Sequence, residues 1–146
     1  MDGAEAASQA GLDVHVTVMF GYPWEGREEI AQTVRLAREL MARGFAHTLQ
    51  CTLVIPYPGT PLFRECEEQG LLTTRDWDEY DMRRAVMKSK ATEEEIKTAI
   101  RDVYRSFVQP RALYHRLRRT RNLGDDLRFY WRGFRSLAGH LRDFGG

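Results

Sequence analysis

Residues 13–25 read Asp13-Val14-His15-Val16-Thr17-Val18-Met19-Phe20-Gly21-Tyr22-Pro23-Trp24-Glu25, and residues 48–61 read Thr48-Leu49-Gln50-Cys51-Thr52-Leu53-Val54-Ile55-Pro56-Tyr57-Pro58-Gly59-Thr60-Pro61. Each is a run of strand length that ends in a turn rich in glycine and proline. In the first, Val14, Val16 and Val18 alternate with His15, Thr17 and Met19 before Phe20, which predicts a strand over residues 13–20. The second becomes almost continuously apolar towards its end, as a strand buried on both faces does, so a strand is predicted over residues 48–55, stopped by Pro56.

Between them, from about Arg27 to Arg43, Ile30, Val34, Ala37 and Met41 fall on one helical face, and Gly44 ends the run. Glu28 and Glu29 lie in its first turn, where the helix dipole favours carboxylates. Upstream, residues 4–10 are rich in Ala, Glu and Gln and close at Gly11, like the last turns of a helix, so the chain reads as beginning in mid-element. Downstream, Thr60 is an N-cap with Pro61 at the first helical position, opening a short helix through Leu62, Phe63 and Cys66 to Gly70. Strands separated by helices of this length imply right-handed βαβ crossovers and a parallel sheet. Two strands leave two unpaired edges and bury little apolar area, so residues 1–70 read as part of a larger α/β barrel or sheet.

Beyond Gly70, residues 71–81 form an aromatic and acidic connection with room for one short turn. Asp76, Asp78, Glu79 and Asp81 lack the glycine and ligand spacing of an EF-hand, which makes a solvated acidic loop the expectation, packed down by Trp77 and Tyr80. Thr92-Glu93-Glu94-Glu95 is a capping box, and Ile96, Ile100, Val103 and Phe107 form the buried stripe of a helix that ends before Pro110. Further helices are expected over residues 111–119 and 125–141. The change of character between residues 82 and 92 divides the chain into residues 1–85 and a helical extension, residues 86–146.

The composition is that of an ordinary soluble globule of 146 residues, 42% hydrophobic and 29% charged, which excludes a collagenous, low-complexity or wholly disordered chain. Cys51 and Cys66 are the two cysteines, too few for a disulfide scaffold and too far apart for a cluster or zinc site of four cysteines. The acidic N-terminus, Met1-Asp2-Gly3-Ala4-Glu5, is unlike a signal peptide, and no apolar run approaches a membrane span, so a cytoplasmic protein is expected. Charge is unevenly placed: residues 1–100 hold 11 basic and 17 acidic residues, a net of −6, and residues 101–146 hold 11 and 4, a net of +7.

In parallel α/β folds the loops at the carboxyl ends of strands build the ligand site, so the two turns are expected side by side at one mouth. Glu25 there is either a contact for a ligand amine or a carboxylate at a helix N-terminus. His15, among strand valines with no second histidine at ligand spacing, reads as a hydrogen-bonded structural residue.

The strand, the Gly21-x-Pro23-x-Glu25 turn, the amphipathic helix, the second strand and the Pro56-Tyr57-Pro58-Gly59-Thr60-Pro61 turn resemble the last two βα units of the radical S-adenosylmethionine (SAM) enzyme barrel. The similarity continues through Trp77, Tyr80-Asp81 and the Thr92 helix to Tyr104-Arg105-Ser106-Phe107 and Pro110, a pattern similar to the C-terminal region of the cobalamin-binding radical SAM proteins, the group of the anaerobic magnesium-protoporphyrin ester cyclase and the hopanoid-modifying enzymes. The resemblance implies an α/β chain: the last βα units of a partial TIM-like barrel in residues 1–85, then a mainly helical extension. It implies that Met19, Gly21, Pro23 and Glu25, with Ile55, Pro56 and Tyr57, contribute to a SAM site. Trp24 stands where the family most often has glycine.

The family's Cys-x3-Cys-x2-Cys motif does not occur in this chain, and Cys51 and Cys66 do not replace it, because three thiolates must converge on one 4Fe-4S cluster. The resemblance therefore implies the C-terminal part of a longer radical SAM enzyme, inactive by itself, with the cluster and cobalamin held by the rest of the parent. The partners expected are the remainder of the barrel and a small, apolar substrate. A competing reading rests on the tail, where Arg116, Arg118, Arg119, Arg121, Arg128, Arg132 and Arg135 interleave with Tyr114, Phe129, Tyr130 and Trp131, the composition of a nucleic-acid surface. Phe129, Tyr130, Trp131, Phe134 and Leu137 also suit the apolar side of a basic helix on a membrane surface. With no RNA-binding motif and a modest net charge, a solvated or inter-domain face is favoured over nucleic-acid binding.

Overall fold

The structure is a computed structural model that describes residues 1–119 and residue 131. The chain runs α1 (Asp2–Gln9), β1 (His15–Phe20), α2 (Arg27–Ala42), β2 (Thr48–Leu53), α3 (Pro61–Glu68), a 3-10 turn (Trp77–Glu79), α4 (Glu93–Ser106) and α5 (Pro110–Arg119). The helix expected over residues 125–141 and the basic face built on Arg128, Arg132 and Arg135 lie outside the described residues.

β1 and β2 pair in parallel, in a register that runs from His15 opposite Thr48 to Phe20 opposite Leu53. Strand side chains alternate, so register partners share a face. Val16, Val18, Phe20, Leu49, Cys51 and Leu53 point to the helices, and all but Val16 lie in or against one apolar cluster. His15, Thr17, Met19, Thr48, Gln50 and Thr52 form the opposite face, which is polar but for Met19.

α2 lays Ile30, Val34 and Ala37 on the apolar face, and α4 lays Ile96, Ala99, Ile100, Val103 and Tyr104 on the same core. Residues on both sides of the expected 82–92 boundary thus share one core. A second cluster, of Leu40, Met41, Ala46 and Ala112, seats α5 against the end of α2, with Phe107 packed partly against it. Phe107 is only half-buried because α4 ends at Ser106 and Phe107 is its C-cap.

The helix boundaries follow their caps. The Thr60 Oγ1 accepts from the Phe63 N–H (3.2 Å), and Thr92 and Glu95 close the capping box in both directions (3.3 and 2.8 Å). Gly44, at φ +74°, ends α2; a Cβ there would stand 2.7 Å from the His115 side chain of α5. β2 ends at Leu53, two residues before the expected Ile55, after which Val54, Ile55 and Pro56 continue as buried irregular chain.

The connection after α3 carries the expected short turn and one feature that its sequence does not announce. Leu72 and Met87 form an antiparallel bridge, flanked by bonds from the Thr73 N–H to the Val86 carbonyl (3.0 Å) and from the Lys88 N–H to the Leu71 carbonyl (2.8 Å). Residues 71–91 are therefore a strap closed at its base. Tyr80 and Val86 of the strap pack on Ile55, and Met87 packs on Val54 and Cys66.

Candidate functional site

The first turn leaves β1 at Gly21, whose φ of +103° lies in a region that glycine adopts without the Cβ penalty of other residues. The chain folds back so that the Glu25 Oε2 accepts from the N–H groups of Gly21 (2.7 Å) and Tyr22 (3.0 Å), while the Glu25 N–H donates to the Tyr22 carbonyl (3.0 Å). Glu25 is 7% exposed. Its carboxylate is the internal acceptor of the turn, a role outside both alternatives that the sequence offers. The Glu25 carbonyl also accepts from the Ala91 N–H (3.1 Å), which ties the turn to the strap, and Arg27 is ion-paired with Glu95 of α4. The N–H of Thr92, and then the Arg27 guanidinium, hold the Glu95 carboxyl below its ordinary value. Tyr22 and Trp24 stack, with ring centroids 4.7 Å apart and planes at 21°.

The second turn leaves β2 beside the first, and the Val54 N–H still donates to the Phe20 carbonyl (2.9 Å). Thr60 turns the chain into α3 by donating to the Tyr57 carbonyl from both its N–H (3.1 Å) and its Oγ1 (2.7 Å). Tyr22 packs against the Val54–Cys66–Met87 cluster, so the two turns share an apolar foundation.

The seven site residues expected from the sequence divide by access. Met19 and Tyr57 are each 45% exposed, Pro23 is half-buried, and Gly21, Glu25, Ile55 and Pro56 are buried. Ile55 is covered by Tyr80 and Val86, and Glu25 is engaged by backbone donors, so the open surface of the mouth is Met19, Trp24 and Tyr57. Sequence reasoning missed Thr17, Gln50 and Thr52, which share the open face of the sheet with Met19; strand alternation combined with the parallel register is the signal that finds them. His15, on the same face, hydrogen-bonds Thr48 through Nδ1 at 2.7 Å, as the structural reading expects. Tyr80 packs the strap down, and Trp77, though 55% exposed, pairs with it (ring centroids 5.0 Å apart) and with Phe63 (6.1 Å).

Cys51 and Cys66 are both buried and lie in different clusters. Burial pushes the Cys51 thiol up to about 12 and raises that of Cys66, for which the neighbouring Glu65 is a lesser cause. Among the described residues no three His, Cys, Asp or Glu side chains are grouped to hold a metal ion, and no helix is long and apolar enough to cross a membrane.

No family model matches the chain, and no solved structure matches it significantly. It is similar to an uncharacterized methyltransferase of Pyrococcus horikoshii, 34% identical over 115 residues, which are 77% of this chain and 24% of that protein. It is also similar to the bacteriochlorophyllide d C-8(2)-methyltransferase of Chlorobaculum tepidum, 31% identical over 85 residues, 58% of this chain and 18% of that protein. The chain thus spans about a quarter or less of the length of the curated relatives that it matches, and both relatives are named as methyltransferases.

Proposed function

We propose that this chain is the closing part of a radical SAM methyltransferase barrel, in which its two strand-end turns complete a SAM site. The observation that carries the reading is the adjacency of the two turns at the carboxyl ends of paired parallel strands, with Met19, Trp24 and Tyr57 open to a ligand. The methyltransferase names of both relatives support SAM as the molecule bound. The bacteriochlorophyllide in the second name supports a small, largely apolar substrate.

SAM fits the open residues by chemistry, since aromatic rings suit an adenine and a thioether suits the apolar part of the ligand. The Glu25 carboxylate, by contrast, shapes the turn. A 4Fe-4S cluster does not fit: two protonated, buried thiols in separate clusters do not supply three converging thiolates. The cluster, and the cobalamin that the resemblance implies, are assigned to the remainder of the barrel, and this chain is not assigned catalysis of its own.

Titrating the 146-residue chain with SAM and following its NMR spectrum tests the reading. Weak, non-saturating shifts confined to Met19, the Gly21–Trp24 turn and Tyr57 are expected. Absence of any shift at these residues overturns the SAM assignment; tight stoichiometric binding with no other polypeptide overturns the incompleteness of the site.

A further inference from the structure

The second turn is open only at its far end. Ile55 and Pro56 lie between Val54, whose N–H bonds to the Phe20 carbonyl, and the open Tyr57, and both are buried. Over Ile55 lie Tyr80 and Val86 of the strap, and the three form a small cluster separate from the main core. The strap meets its hydrogen-bonding needs by itself. The Tyr80 hydroxyl donates to the Thr74 carbonyl (3.2 Å), and the Tyr80 N–H donates to the Trp77 carbonyl (3.2 Å). Asp76, Asp78 and Arg83 donate their N–H groups to the side chains of Thr74, Asp76 and Asp81 (3.1, 3.1 and 2.9 Å). The Ala85 and Val86 carbonyls accept from the Thr73 Oγ1 and N–H (3.4 and 3.0 Å). Among the described residues, every hydrogen bond of residues 74–86 thus ends within residues 73–86.

These residues are held on the body by Tyr80 and Val86 on Ile55, by the Trp77 ring beside Phe63, and by the exposed ion pair of Arg75 with Glu67 (3.0 Å). An exposed pair contributes little in water. Lifting residues 74–86 therefore breaks no hydrogen bond and costs mainly the re-exposure of three apolar side chains. The base is fixed: Leu72 and Met87 are bridged, Met87 is packed on Val54 and Cys66, and the Ala91 N–H holds the Glu25 carbonyl. A loop with joined ends that is packed by its own side chains has the form of an Ω-loop, and such segments can open without unfolding the body. We infer that residues 74–86 are a lid on the mouth, hinged at the Leu72–Met87 bridge and latched by Tyr80, and that the structure holds it shut. Open, it adds Ile55 to the surface of Met19, Trp24 and Tyr57 and so regulates how much of a ligand the second turn can touch. This deepens the proposed function and rests on it for the identity of the ligand.

Maleimide labelling of the full 146-residue chain, read site by site by mass spectrometry, tests the inference. Val86→Cys, on the strap, and Ile55→Cys, on the body, each place a thiol in the covered contact. Cys51, buried in the main core, is the internal control for global unfolding. Each new thiol is expected to react at least about a hundredfold faster than Cys51 and at least about tenfold slower than in the urea-unfolded chain. One opening exposes both, so their rates should agree within about threefold. Low urea is expected to speed Cys51 steeply and the new thiols hardly at all, since a local opening exposes little surface. Tyr80→Ala, which removes the latch, should speed the new thiols by about tenfold or more. A new thiol no faster than Cys51, or with the same urea dependence, would mean that the contact opens only with the whole fold. One as fast as in the unfolded chain would mean that the strap is never shut. Either result overturns the lid, as would unequal rates for the two thiols or no effect of Tyr80→Ala. Val86→Cys changes side-chain volume little and decides the matter even where Ile55→Cys or Tyr80→Ala does not fold. Labelling needs no SAM: lid kinetics intact with no SAM response at Met19, the Gly21–Trp24 turn or Tyr57 would sink the SAM assignment alone, and the reverse would sink the lid alone.

Discussion

The Glu25 carboxylate reaches back to two backbone N–H groups within its own turn, and that contact sets the shape of the site. Glu25→Ala leaves two donors in a buried turn without their acceptor, a loss of about 2–4 kcal/mol in unfolding free energy. Glu25→Gln keeps an oxygen in place and is expected to cost clearly less. Urea denaturation of the two variants measures the difference, and equal losses would mean that the carboxylate is not the acceptor that counts. Glu25 is conspicuous in the sequence, but its role is not legible there. The reach depends on the positive φ of Gly21, which turns the chain so that donors and acceptor meet.

At the scale of elements, capping chemistry places helix starts within a residue, because each cap is a contact between residues three apart in the chain. The seat of α5 on α2 is different: it depends on Gly44, where His115 lies against the space of a missing Cβ. Gly44→Ala is expected to destabilise by about 2–3 kcal/mol, the left-handed backbone contributing about 1–2 and the overlap the rest. Gly59→Ala, also at positive φ (+86°) but with nothing within 4 Å of its Cβ, carries the backbone part alone. Thermal unfolding of the pair isolates the overlap; equal shifts in Tm would mean that α5 does not pack there.

Among the described residues, one core cluster joins side chains from Phe20 to Leu53 with those from Ala91 to Tyr104, on both sides of residues 82–90. Ile100, on α4, is 1% exposed within it. Ile100→Ala is expected to cost about 2–5 kcal/mol and to lower the stability of sheet and helices together, as one cooperative transition. Coincident transitions by far-ultraviolet circular dichroism and tryptophan fluorescence check this; a first transition confined to the helices would support the expected boundary there.

The sequence by itself determined the order of elements through residue 119, the apolar stripes of α2 and α4, the caps, and the two turns that form the mouth. All of these rest on contacts within a few residues or on a simple period. Tertiary structure decided which sheet face stays open, that Ile55 lies beneath the strap, and that the Tyr104 hydroxyl meets the Cys51 backbone. The reason is distance along the chain: Tyr104 meets Cys51 from 53 residues away, and neither residue's neighbours encode that meeting. Only the packing of α4 on α2 and β2 brings the hydroxyl to the strand edge.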